Sequence, residues 1–262
     1  MPTIRRPAVA GLFYPGSPSE LRSTVEALLR GAPPAGGPAP KAVIAPHAGY
    51  AYSGPTAAFA FQALAGQPLE RVVVLGPAHR VPVRGLALPG ADAFATPLGE
   101  IPVDAEGARV VSDLPQVTTF PEAHAPEHSL EVELPFLQVL FPEIKVLPIV
   151  VGDADPEEVA EVLDRVWGGP ETAVVISSDL SHYLPYDVAR RVDGETADEI
   201  LALEGPLHSR QACGAYPING LLVTARRRRM ASRLLDLRSS GDTAGDRGRV
   251  VGYGAFAFSE AA

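Results

Sequence analysis

Short apolar runs of strand length alternate along the chain with segments whose apolar residues recur at helical spacing. After Asp155, for example, Val159, Val162, Leu163 and Val166 share one helical face. Strands that alternate with helices are typical of α/β proteins with parallel strand pairing. The pattern predicts an α/β fold whose central sheet is mostly parallel or mixed and is flanked by helices, with antiparallel strands near the C-terminus. The buried strands are predicted at 42–45, 72–75, 145–152 and 173–176.

Two segments outside the buried strands can also be assigned from the sequence. The helix after the first buried strand is expected to begin at Pro55, because proline is favoured in a first helical turn. The segment 94–101 contains Pro97 and Gly99 and is expected to be a loop.

Three of the predicted strands are followed within a few residues by a histidine. His47 comes directly after Pro46, His79 follows the second strand, and Asp179 and His182 follow the last of the four strands. Ligand crevices in open α/β sheets form at the carboxyl ends of neighbouring parallel strands. We therefore expect these side chains to meet in one cleft.

Composition narrows the classes of function. A formal net charge of -9 over 262 residues argues against a nucleic-acid partner, and the basic run Arg226–Arg229 is expected to be a solvated helix end. The single cysteine, Cys213, excludes an intramolecular disulfide framework. The N-terminus has no long apolar segment of a signal peptide, and no apolar stretch reaches the length of a membrane span. These features predict a cytoplasmic protein with no membrane partner.

The residue types at the strand ends allow a metal centre. Imidazole binds iron, copper, zinc and nickel, so His47 and His79 are the first candidate ligands. Cys213 is the candidate third ligand, because it precedes a predicted helix whose N-terminal N–H groups would favour the thiolate. His208 has no such setting and is expected at the surface. A satisfied polar histidine or an inert core cysteine is the structural alternative at each of these positions.

Asp179 and His182 leave several roles open. They could form a charge-relay pair, orient the metal ligands, or serve as general acid and base, whereas the structural alternative is a helix cap by Ser178 or Asp179. Tyr50 and Tyr52 could line a pocket. The chain has no G-x-S-x-G elbow, Walker A sequence or dinucleotide-binding glycine motif, which argues against those enzyme classes.

Seven segments resemble the motifs of the Memo family, whose bacterial members are often named AmmeMemoRadiSam system protein B. In chain order they are GLFYPG at 11–16, PHAGYAYSG at 46–54, GPAH at 76–79, EHSLEVELPFL at 127–137, SSDLSHY at 177–183, CGAYPI at 213–218 and VGYGAFAF at 251–258. The resemblance implies one Memo-like domain over 1–262. It also implies the fold of class III extradiol dioxygenases, with the site at one end of the sheet.

The resemblance also assigns roles to particular residues. It implies a metal held by His47, His79 and Cys213, with the expected catalytic residues, Asp179 and His182, beside it. The cysteine stands where the dioxygenases have a carboxylate, so dioxygenase activity does not transfer with the fold. The residues expected to line the pocket are Tyr50, Tyr52, His128 and Tyr216.

The expected function is that of a metal-binding redox protein. Iron(II) is the first expectation, copper is the alternative, and zinc is also compatible with the ligands. If the protein is an enzyme, we expect a dioxygenase-like oxidoreductase in which His182 moves protons and Asp179 orients it, acting on an unknown small molecule or peptide. Two alternatives stay open: a non-enzymatic peptide- or protein-binding module with a vestigial cleft, and a partner of a radical-SAM protein in a modification system.

Overall fold

A mixed β-sheet with helices on both faces forms the body of the molecule in a computed structural model, which describes residues 2–34 and 36–260. The strands are β1 (Ile4–Arg5), β2 (Ala42–Ala45), β3 (Arg71–Pro77), β4 (Leu86–Leu88), β5 (Ala93–Thr96), β6 (Gly99–Pro102), β7 (Val117–Thr119), β8 (Lys145–Val151), β9 (Thr172–Ser177), β10 (His182–Leu184), β11 (Ala231–Ser239) and β12 (Val250–Ser259). The helices are α1 (Pro18–Gly31), α2 (Tyr50–Leu64), α3 (Ala105–Val111), α4 (Pro121–His124), α5 (Leu134–Leu140), α6 (Pro156–Val166), α7 (Tyr186–Leu201) and α8 (Ala215–Arg227), with 3₁₀ turns at Glu131–Glu133 and Ser240–Asp242.

The central strands of the sheet run parallel. Within the described ranges the order is β10-β12-β2-β9-β3-β8-β4-β7, and β11 also pairs with β12. Strands β2, β9, β3 and β8 pair in parallel, as do β4 and β7, whereas β12 is antiparallel to β2, β10 and β11 and β4 is antiparallel to β8. The predicted α/β fold with a mixed sheet and antiparallel strands near the C-terminus is confirmed.

Alternate side chains of the central strands enter two separate cores. In β2, for example, Val43 and Ala45 face one core, whereas Ala42 and Ile44 face the other. Helices α1, α2 and α5 cover the first core, and α3, α6, α7 and α8 cover the second. Because both faces are covered, the inner strands read as continuous apolar runs and could be recognised from the sequence.

Two segments differ from their sequence-based predictions. The segment expected to be a loop, 94–101, contributes to the antiparallel pair β5–β6, which forms a small three-stranded sheet with β1. Helix α2 begins at Tyr50, not at Pro55, because the backbone N–H groups of Tyr52 and Ser53 already bond to the carbonyl of Gly49. No helix among the described residues is both long and apolar enough to cross a membrane.

The predicted domain limits, 1–262, extend beyond the residues described. Met1, Ala35, Ala261 and Ala262 lie outside the described ranges. Single-domain organisation over those exact limits therefore stays a prediction.

Candidate metal centre

The residues that follow three neighbouring strands lie together at the C-terminal ends of those strands. Strands β2, β9 and β3 lie side by side in parallel, with Ala45 opposite Ser177 in register. His47, Asp179 and His79 each stand two residues beyond the end of one of these strands. The prediction that the three strands are adjacent and parallel is confirmed, and their residues converge.

Three imidazoles form a cluster at this edge. His47, His79 and His128 each offer a ring nitrogen, and these three atoms lie within 4.8 Å of one another. The ring centroids of His79 and His128 are 4.7 Å apart, and that of His47 lies 5.1 Å and 5.5 Å from them. His128 was expected only in the pocket lining, yet the structure groups it with the two candidate ligands.

One buried carboxylate fixes two of these histidines. Glu127 accepts hydrogen bonds from the backbone N–H and the Nδ1 of His79, at 2.6 and 2.9 Å. It also accepts the backbone N–H groups of His128 and Ser129, at 2.9 and 3.0 Å. Burial alone would raise the pKa of Glu127, but the hydrogen bonds from His79 and the backbone hold it well below its usual range. With its Nδ1 engaged, His79 has its Nε2 left to bind a metal.

The tautomer of His47 follows from the hydrogen bonds of the Ser177 hydroxyl, which has only one hydrogen to donate. The Ser177 hydroxyl lies 2.6 Å from the carbonyl oxygen of Ser129, 2.8 Å from a carboxyl oxygen of Glu133 and 2.7 Å from Nδ1 of His47. A hydroxyl has one hydrogen and two lone pairs, and a carbonyl can only accept, so that hydrogen goes to Ser129. Glu133 and His47 must then both donate to Ser177. This assigns a protonated Glu133 and leaves Nε2 of His47 with a free lone pair.

Burial supports that assignment for Glu133 and His47. Glu133 is fully buried, which raises the pKa of its carboxyl well above the usual range. Burial, with His79 and His128 nearby, holds the pKa of His47 well below its usual value, and burial lowers the pKa of His128 to about 4. Neutral imidazoles are the form that binds metals.

Cys213 reaches the cluster through its contact with His47. Its Sγ lies 3.4 Å from Nε2 of His47 and accepts the backbone N–H of Asp179 at 3.3 Å. The residue stands just before α8, as predicted, but burial raises the pKa of the thiol, and nearby Asp179 adds to that rise. Burial therefore outweighs the helix N-terminus that was expected to favour the thiolate.

Asp179 and His182 occupy separate positions. The Asp179 carboxylate accepts the backbone N–H of His47 at 2.8 Å, and burial raises the pKa of that carboxyl to about 7. His182 begins β10, and burial lowers the pKa of its ring. In the portion of the chain that the structure describes, no hydrogen bond joins the two side chains, which argues against a charge-relay pair among the roles left open. Asp179 instead fixes the backbone of His47.

A cavity of about 650 Å³ opens beside the cluster. His79, His182 and Cys213 contribute to its wall. His208, which is exposed as expected, also borders it. The complete lining is His79, His182, Leu184, Val192, His208, Ser209, Arg210, Gln211 and Cys213.

The tyrosines expected in the pocket lie elsewhere. Tyr50 is buried in the first core, where its hydroxyl donates to the carbonyl of Val132 at 2.8 Å. Tyr52 and Tyr216 are partly exposed, and neither contributes to the cavity wall. Because α2 begins earlier than predicted, Tyr50 falls in its first turn and points into the core. His128, the fourth residue expected in the pocket, lies in the imidazole cluster instead.

The N-terminal segment closes over the cluster and is held by one carboxylate. Glu131, which is fully buried, accepts hydrogen bonds from Arg5, from the Tyr14 hydroxyl and from two backbone N–H groups between them. This anchoring places the ring of Phe13 edge-on to His128, with 4.9 Å between the ring centroids. The segment therefore shields one side of the imidazoles from water.

The donor set fits a transition-metal ion. Metal–nitrogen bonds of about 2.0–2.1 Å allow two nitrogens on one ion to be at most about 4.2 Å apart, close to the 4.8 Å that encloses the three imidazole donors. Small inward rotations would therefore suffice. Nδ1 of His128 is buried and has no hydrogen-bond partner among the described residues, although it lies 3.3 Å from Glu127. Imidazole with sulfur suits iron, copper or zinc, not magnesium or calcium.

The chain is similar to known proteins over nearly its whole length. The family model described as "Memo-like protein" matches residues 5–257. The chain belongs to the Memo family. A "MEMO1 family protein" of Archaeoglobus fulgidus is 38% identical over 272 residues, covering 97% of this chain and 99% of the relative. Proteins with the same description from Desulfurococcus amylolyticus and Aquifex aeolicus are each 36% identical, over 97% and 95% of this chain and 98% and 97% of the relatives.

Two glycines in the Memo motifs explain how the site is packed. A Cβ added at Gly76, in GPAH, would lie 2.7 Å from the Ser129 hydroxyl. A Cβ added at Gly214, in CGAYPI, would lie 2.6 Å from the Cβ of Ser178. Both positions need glycine because the loop that bears His128 and the turn that bears Cys213 press directly on strand ends.

The Memo motif at 127–137 holds the residues that the sequence reasoning missed. Glu127, Glu131 and Glu133 are all buried, and none of them was among the candidate site residues. The alternation of Glu131 and Glu133 with Leu130, Val132 and Leu134 was a usable signal, since a carboxylate inside an apolar segment needs hydrogen-bond donors. The assembled site supplies those donors.

Proposed function

We propose that this Memo-family protein binds a redox-active transition metal at the strand ends through His47, His79 and Cys213, with His128 at the same centre. The observation that carries the proposal is the convergence of three imidazole donors within 4.8 Å, with a sulfur 3.4 Å from one of them. The orientation of two rings supports it, because a carboxylate or hydroxyl engages Nδ1 and leaves Nε2 free.

Iron(II) is the metal we favour, with copper as the alternative and zinc compatible. A bound iron or copper ion would supply one-electron chemistry and a site for O₂ or substrate. Imidazoles with a sulfur donor are accepted by all three metals, so the ligand chemistry leaves the choice to direct measurement.

Two residues near the proposed metal, His182 and Asp179, would assist the reaction. His182 lies in the wall of the cavity and would exchange a proton with a molecule bound there. Asp179 would act as a positioning residue, because its carboxylate holds the backbone of His47. If the protein is catalytic, these roles describe a metal-dependent oxidoreductase.

Metal analysis of untagged protein tests the proposal. We expect one metal ion per chain in the wild type and loss of that ion in His47→Ala and His79→Ala. His208→Ala is the matched control, because it removes an exposed imidazole outside the cluster and should retain the metal. Metal content unchanged in both cluster variants would refute the centre.

Two further variants separate the candidate third ligands. Cobalt(II)-substituted protein should show a sulfur-to-metal charge-transfer band that disappears in Cys213→Ser. His128→Ala should retain that band if the thiolate is a ligand and the third imidazole is not. Retention of the band in Cys213→Ser would remove the sulfur from the proposed ligand set.

The wider biological setting also remains a proposal. We propose a cytoplasmic protein that acts on a small molecule or peptide, and a working association with a radical-SAM protein. The alternative is a binding module that recognises a peptide or protein without turnover. Partner binding that survives His47→Ala would favour the module, and co-purification with a radical-SAM protein would support the modification system.

A further inference from the structure

The cavity beside the cluster has one permanently charged residue in its wall. Of its lining residues, only Arg210 carries a fixed charge, and none is a carboxylate. Leu184 and Val192 give the wall an apolar part, and His79 and Cys213 connect it with the candidate metal centre. A volume of about 650 Å³ is in the range that binds small organic molecules.

Arg210 has no ion-pair partner within the described parts of the chain, although several other arginines do. Glu199, near the end of α7, accepts a hydrogen bond from the side-chain amide of Gln211, the residue after Arg210, at 2.9 Å. A guanidinium presents a planar fork of donors that matches a carboxylate, so a free one in a cavity wall is a ready anion-binding group.

The loop that bears Arg210 is held in place. Asn219 of α8 forms two hydrogen bonds with the backbone of Leu207, at 2.7 and 2.9 Å. The Gln211 side chain accepts the backbone N–H of His208 at 3.1 Å, and its own backbone N–H donates to the His208 carbonyl at 2.8 Å. Less ordering is needed on binding when the backbone around the recognising group is already fixed.

We infer that the cavity binds a small organic carboxylate, whose anionic group pairs with Arg210 while its apolar body lies against Leu184 and Val192. Such a ligand would lie between Arg210 and the side chains of His79 and Cys213. The role of this anion as a substrate rests on the proposed metal function. Its binding does not, because the guanidinium and the apolar wall are present without a metal.

Calorimetry with a matched pair of probes tests the inference on the full-length protein. Benzoate and benzamide have the same apolar body and differ in charge. We expect benzoate to bind metal-stripped wild-type protein with at least tenfold higher affinity than benzamide. Arg210→Gln should weaken benzoate binding by about ten- to a hundredfold and leave benzamide unchanged. Arg22→Gln is the control, because it removes an exposed arginine of α1, far along the chain from the cavity wall.

The outcomes separate this inference from the proposed function. Equal binding of the two probes, no benzoate binding, or unchanged benzoate binding in Arg210→Gln would each overturn the carboxylate site, whatever the metal content. Benzoate binding that persists in Leu184→Asp would overturn the apolar part of the assignment. If benzoate binds as expected but wild-type protein takes up no metal, the carboxylate site stands and the metal proposal falls.

Discussion

Replacement of Glu131 by glutamine tests how the N-terminal segment is tied to the site. The carboxylate is fully buried and receives four donors from that segment, including the Arg5 guanidinium, which is 7% exposed. In Glu131→Gln the side chain keeps its size, but one oxygen becomes an NH₂ group that faces donors. Arg5 is left as a buried cation without its counter-charge.

The expected loss of stability is large. Removal of one partner from a buried ion pair costs about 3–5 kcal/mol, because the remaining charge stays desolvated. A domain has a total free energy of unfolding of about 5–15 kcal/mol, so Glu131→Gln should remove a substantial part of the stability. Tyr14→Phe removes only one donor from the same carboxylate and should cost about 1.5–3 kcal/mol.

Urea unfolding at pH 7 measures both variants, with metal content as the second readout. We expect Glu131→Gln to lose metal affinity as well as stability, because Phe13 would no longer be held against His128. Glu106→Gln is the control, since that carboxylate forms an exposed pair with Arg109 and should leave both quantities unchanged. A loss below about 1 kcal/mol in Glu131→Gln would refute the anchoring role.

Three further predictions concern the packing and protonation of the site and its neighbourhood. Ser177→Ala removes the acceptor for Nδ1–H of His47 and should weaken metal binding by about ten- to a hundredfold in a chelator-competition assay. In Gly76→Ala the new Cβ would lie 2.7 Å from a side-chain oxygen of the loop bearing the third imidazole, and urea unfolding should show a loss of about 1–3 kcal/mol, whereas Gly194→Ala, with no atom within 4 Å, should show none. Burial lowers the pKa of His124 from 6.5 to about 4. Between these pH values the unfolded chain binds a proton at His124 and the folded chain does not, so stability falls as the pH drops from 6.5 towards 4. His124→Gln should reduce that fall by about 1.4 kcal/mol per pH unit, and an unchanged pH dependence of urea unfolding would contradict this account.

The strand-end histidines could be predicted because they obey a local rule. A buried strand appears as an apolar run, and the residue that follows it must lie at the sheet edge. His47 and His79 were found in this way, and the parallel pairing of β2, β9 and β3 brings them together. Cys213 follows no such strand. It was a candidate ligand because of its position before a predicted helix and because of the family resemblance.

The cluster's remaining members depend on long-range contacts that no local pattern encodes. His128 belongs to a segment whose acids are buried, and hydropathy does not reveal that their hydrogen-bond donors arrive from distant parts of the chain. Glu131, for instance, receives Arg5 from more than a hundred residues away. The segment 94–101 was mispredicted for a different, local reason: Pro97 and Gly99 were taken to indicate a loop, whereas Pro97 lies in the tight turn between β5 and β6 and Gly99 begins β6.

The order of the site residues along the chain determines how early during protein synthesis the complete site can form. His47, His79, His128 and Cys213 emerge from the ribosome in that order, and β12, which pairs with β2, follows all of them. A nascent chain released before residue 213 would carry three imidazoles without the sulfur, on a sheet in which β2 has β9 beside it but still lacks β12. A metal ion bound with the proposed sulfur ligand would therefore join the chain only after nearly all of it has been made.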